Sequence, residues 1–158
     1  MIDKKLSFCY EIMMTAARSG FLNPRGVRTG YTHWLGPEFS KEIQIFSGFV
    51  SKSAIAHGTN IGLVLEHFLR IQTELTALMK KHMDLGENFA EFISEIKRLE
   101  QVHIVTKKEN DLLRRKEISG NYAIAGIELV IWSEIPEKSK IFLRKKLRSK
   151  VANFSQFI

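Results

Sequence analysis

Apolar residues recur along this chain in two rhythms, one helical and one alternating. From Ile2 to Ser19 the rhythm is helical. Leu6, Tyr10, Met13 and Ala17 share a face, Asp3 is a candidate cap and Gly20 a natural stop. Residues 21–39 hold two prolines and three glycines and read as loop, with a short strand over Val27–Leu35. Ser40 then opens a second helix, with Ile43, Phe46, Phe49 and Val50 on one face and Gly58 at its end. A third helix of about 22 residues starts at Thr59 or Asn60 and carries Ile61, Val64, Leu65, Phe68, Leu75, Leu78 and Met79 as its apolar stripe. Gly86 ends it.

Asn88 followed by Glu91 has the spacing of a capping box, so a fourth helix runs from Phe89 with Phe92, Ile93, Ile96 and Leu99 inward. Val102–Thr106 is β-branched and fits a short strand. Equally, no Gly or Pro interrupts the chain between Asn88 and Ser119, so one long helix to about Glu117 also fits. Thr106 with Glu109 offers a second capping box, and Ser119-Gly120-Asn121 is a turn. Tyr122–Ser133 alternates, with Ile127, Leu129 and Ile131 on one face, and predicts a strand. After Pro136 a last helix buries Leu143, Leu147, Val151 and Phe154.

The expected fold is mainly α: four to five helices, one or two short strands, and a C-terminal strand followed by a basic helix. One domain, 1–158, would hold a helical body over 1–120 and a candidate DNA-binding and dimerisation segment over 121–158. A lone strand cannot satisfy its own backbone groups. Its partner would be residues 27–35, residues 102–106, or the same strand of a second subunit, and the last option implies a homodimer.

Charge sharpens this picture. The 158 residues carry a net +7, and the stretch from Pro136 to the C-terminus alone carries +6. Seven cations, Lys138, Lys140, Arg144, Lys145, Lys146, Arg148 and Lys150, stand there against the single acid Glu137. A surplus gathered at one end speaks about partners, and a polyanion is the natural one. The phosphate-binding surface is therefore expected at Lys140, Arg144, Lys145, Lys146, Arg148 and Lys150, joined by Arg25 and Arg28 from a glycine-flanked loop. DNA is favoured over RNA.

Other chemistry is sparse. One cysteine, Cys9, excludes an intrachain disulfide and fits a reducing compartment. No apolar run reaches the roughly 20 residues that span a bilayer, and the first residues lack a signal-peptide pattern, so a cytoplasmic protein without a membrane partner is expected. The histidines at 33, 57, 67, 82 and 103 form no short-spaced pair with each other or with Cys9, so no metal site and no cofactor are expected. No catalytic signature emerges, and an enzyme is not expected.

Strand, Pro136-Glu137, amphipathic basic helix, then Ser155 is an order that resembles a ribbon-helix-helix DNA-binding unit. The resemblance covers about 35 residues and implies that two chains pair one strand each in the major groove. Only Glu128 and Ser133 on this strand could read bases, so what carries over is the idea of a dimeric DNA-binding regulator. The run Arg28-Thr-Gly-Tyr-Thr-His-Trp-Leu-Gly36 is similar to accessory proteins encoded on conjugative plasmids and integrative elements. Two alternatives stand beside this. The spacing of Arg28 and His33 is similar to the Arg-x4-His pair of HEPN ribonucleases, which implies attack on a scissile phosphate. A basic tail also suits a protein-binding adaptor with an acidic partner.

Overall fold

The computed structural model describes residues 1–158, which form two compact units. Met1–Ile43 and Leu69–Glu100 make the first; Gln44–Phe68 and Gln101–Ile158 make the second. In chain order, α1 (Ile2–Arg18), α2 (Pro24–Thr29), α3 (Gly36–Glu38) and α4 (Ser40–Ile43) belong to the first unit. Next, β1 (Ile45–Ser51), α5 (Lys52–Ala56) and β2 (Leu63–His67) open the second. The chain returns to the first unit with α6 (Ile71–Leu85) and α7 (Phe89–Leu99). It completes the second with β3 (Gln101–Thr106), α8 (Lys107–Leu113), α9 (Tyr122–Ala125), β4 (Leu129–Ile131) and α10 (Glu137–Leu147).

The expectation of a mainly α fold is corrected: this is an α/β fold with a four-stranded mixed sheet in the order β2-β3-β1-β4. β1 and β3 run parallel, while β2 pairs antiparallel with β3 and β4 antiparallel with β1. Two of the strands lie where helices were expected. Phe46, Phe49 and Val50 fit a helical face, but Phe46 and Val50 are buried while Phe49 points outward, as alternation requires. Val64 and Leu65, expected on a long helix, instead pair with Val105 and Ile104. That helix is real only from Ile71, where Leu75, Leu78 and Met79 are buried.

The short strand over Val27–Leu35 is helical instead. Asn23 caps α2 by accepting a hydrogen bond from the Gly26 N–H, and Pro24 takes the first-turn position where it costs no hydrogen bond. A π-helical stretch, Gly30–Leu35, follows and buries Tyr31. The glycines here admit close approach. A Cβ on Gly36 would stand 2.7 Å from the Tyr31 carbonyl oxygen.

Local signals elsewhere correspond to observed elements. The Asn88 side chain caps α7, and Thr106 and Glu109 form a complete capping box on α8. The alternating run from Tyr122 is largely not strand: Asn121 caps the turn α9, Gly126 turns left-handed at φ +69°, and only Leu129–Ile131 pair. β1 supplies that pairing within the same chain.

The first unit's core centres on Leu6, Met13, Tyr31, Leu75, Phe92 and Ile96. Tyr10 is its polar anchor: its hydroxyl accepts the Asn88 N–H at 2.9 Å and bonds His82 Nδ1 at 2.7 Å, while His82 Nε2 meets Glu91 at 3.1 Å. In the second unit Phe46, Val50, Val102 and Ile104 of the sheet meet Leu143 and Leu147 of α10. The tail then latches to β1, because the Asn153 amide both accepts from Phe46 N–H and donates to Phe46 C=O at 2.9 Å.

Candidate nucleic-acid interface

The second unit holds 13 of the chain's 24 Lys and Arg but only seven of its 17 Asp and Glu, a surplus of six from a total of +7. The seven C-terminal cations lie on α10 and the segment behind it, and burial of Leu143, Leu147 and Val151 fixes how they face. Five meet no carboxylate. Lys138, Lys145, Arg148 and Lys150 are exposed and Lys146 is half-buried. Burial lowers the Lys146 pKa, and the neighbouring Lys150 charge adds to that shift, so the pair gains from a bound anion. Lys138 was outside the expected set.

Lys140 and Arg144 are engaged internally. Lys140 is buried, donates to Glu137 at 2.7 Å and lies over the Trp132 ring. Arg144 donates to the Phe157 carbonyl at 2.8 Å, reaches Glu137 at 3.5 Å and flanks the same ring. These contacts hold Glu137 below the usual carboxylate range, the Lys140 hydrogen bond contributing most. Trp132 itself is partly buried and packs edge-on against Phe46 and Phe157, on the flank of the core.

Arg25 and Arg28 belong to the first unit, on α2 rather than in a loop. Arg25 is exposed; Arg28 is 5% exposed. His33 is exposed and bonds its neighbour Thr32 at 2.9 Å, and no side-chain hydrogen bond or ion pair joins it to Arg28. The expected residues therefore belong to two different units.

One polar cluster escaped the sequence. On the sheet, His103 Nδ1 and Ser47 Oγ are 2.6 Å apart, and the imidazole stacks on Phe68 at 4.0 Å with Tyr122 edge-on. The Tyr122 hydroxyl donates to Glu66, the residue opposite His103 on β2. Burial pushes the His103 pKa down to about 4, so the ring is neutral near pH 7. These partners are 56 residues apart or brought in by strand register, so no spacing in the chain announces them. Cys9 is buried and its thiol is pushed up to about 12, which makes it unreactive. No group of three or more His, Cys, Asp or Glu is placed to hold a metal ion. No helix is long and apolar enough to cross a membrane.

Comparison with known proteins adds no assignment: no family model, no curated protein and no solved structure matches this chain.

Proposed function

We propose that this chain is a nucleic-acid-binding protein that engages duplex DNA through the outward side of α10 and the segment behind it, acting as a regulator or accessory factor in the cytoplasm. One observation carries the reading: five cations on one short segment, Lys138, Lys145, Lys146, Arg148 and Lys150, have no carboxylate partner. Solubility does not require so many unpaired charges in one place. Ammonium and guanidinium groups arranged this way bind phosphates and release counterions, which supplies affinity without reading sequence.

The helix is well supported for such a role. Its apolar side is anchored in the sheet core, and Asn153 and Arg144 secure the tail that carries Lys150. The cations thus project from a fixed base rather than a loose end. Anisotropy of a labelled duplex tests the reading: wild type binds in a salt-dependent way, and neutralising Lys138, Lys145, Arg148 and Lys150 weakens binding sharply and removes most of its salt dependence. Unchanged binding by that variant overturns it.

A further inference from the structure

The first unit contains a buried cation, two of whose nitrogens have no acceptor. Arg28 is 5% exposed, and its Nε and Nη1 are sealed from solvent without a hydrogen bond in the chain. A guanidinium stays charged at any physiological pH and is costly to bury unpaired. Arg28 lines a cleft of about 320 Å³ together with Arg25, Gln72, Thr73 and Thr76. The last three lie in the first two turns of α6, a helix of 15 residues.

The amino end of α6 is suited to an anion. Its N-cap, Arg70, gives no side-chain cap, so backbone N–H groups and the positive end of the helix dipole remain available there. The acid of the first turn, Glu74, is turned to Arg98 at 3.3 Å. Thr76 spends its hydroxyl proton on the Gln72 carbonyl at 2.6 Å, while the exposed Thr73 hydroxyl and Gln72 amide are donors. Arg25 is exposed and pairs with no carboxylate.

We infer that this cleft binds a phosphate group, with the Arg28 guanidinium as the buried half of the site and Arg25 and the first turn of α6 as the open half. Helix amino ends and guanidinium forks are the two protein elements best matched to a tetrahedral oxyanion, and here they converge. The volume suits the phosphate of a small monoester, or one backbone phosphate of a strand. This site lies in the other unit from α10 and does not depend on the DNA-binding reading.

The test is calorimetric titration of the full chain with inorganic phosphate at constant ionic strength, with chloride as the control. Wild type is expected to show saturable one-to-one binding. Arg28→Gln and Arg25→Gln are each expected to weaken it by roughly tenfold or more. Arg25 is exposed, so its variant keeps the test valid if Arg28→Gln fails to fold. Competition separates the sources. Displacement by adenosine 5′-monophosphate alone assigns a monoester, and displacement by a short oligonucleotide assigns a backbone phosphate. The variant lacking the four exposed α10-segment cations should bind phosphate like wild type, whatever it does to DNA. No saturable phosphate binding by wild type, or an affinity untouched by both arginine substitutions, overturns the inference.

Discussion

Salt dependence separates five working cations from seven. If each unpaired cation of the α10 segment neutralises one phosphate, the plot of log affinity against log salt has a slope of about −4.5. If Lys140 and Arg144 also reached phosphate, it would be about −6.3. Raising salt from about 50 to about 200 mM then weakens binding by about 500-fold in the first case and about 6,000-fold in the second. Anisotropy of a labelled duplex of about 20 base pairs resolves the two, since it covers a span longer than the helix. Replacing Lys138, Lys145, Arg148 and Lys150 by glutamine should leave a slope near −0.9. Lys140→Gln should leave the slope unchanged and lower stability by about 1 kcal/mol, because it removes a contact to Glu137 and the Trp132 face. The reasoning fails if Lys140→Gln flattens the slope, or if the fourfold variant keeps the wild-type slope.

Three further outcomes follow from the cores of the two units. Tyr10→Phe strands the Asn88 N–H and His82 Nδ1 and should cost about 2 kcal/mol in chemical denaturation; a change below about 0.5 would mean that water replaces the hydroxyl. The His103 imidazole, with a folded pKa of about 4 against an ordinary 6.5, refuses a proton that the unfolded chain accepts. Its stabilisation is therefore full above about pH 6.5 and is lost as pH falls toward about 4, by roughly 3 kcal/mol at most. His103→Gln should flatten that part of the stability–pH curve, and an equally steep fall in the variant would assign the acid sensitivity elsewhere. Gly36→Ala should destabilise by about 1–3 kcal/mol, since its Cβ meets a backbone oxygen, whereas a Cβ on Gly26 meets side-chain atoms alone, of Leu22 at 3.3 Å and Asn23 at 3.5 Å, and Gly26→Ala should cost clearly less in a melting experiment.

The elements legible in the chain are those whose signals are local. Asn88 with Glu91, Thr106 with Glu109, and the stop at Gly86 act within one helical turn, and the ends they mark are observed. The strands were harder because Phe46 with Val50, and Val64 with Leu65, satisfy a helical face as well as a buried strand. What decides between them is a partner far along the chain: Val102 and Ile104 for β1, and Ile104 and Val105 for β2. The glycines at 30 and 36 read as breakers by type. In the fold they are contact points, where a Cβ would stand 3.1 Å from the Met13 side chain at Gly30 and 2.7 Å from the Tyr31 carbonyl oxygen at Gly36.

The same division holds for the candidate sites. Composition and order along the chain already determined that cations crowd the C-terminal segment, that Leu143, Leu147 and Val151 in it turn inward, and that one acid stands among them, since these are matters of residue type and short spacing, although the helix stops at Leu147 and Phe154 is only partly buried. Only the folded chain decided that Glu137 and Trp132 occupy Lys140 and Arg144 and leave five cations outward. Only it decided that Arg28 ends in a cleft against α6, more than 40 residues later in sequence. The physical reason is range. Charge and helical periodicity are set by neighbours, whereas pairing, burial and the loss of solvent around a cation depend on which distant segments the core draws together.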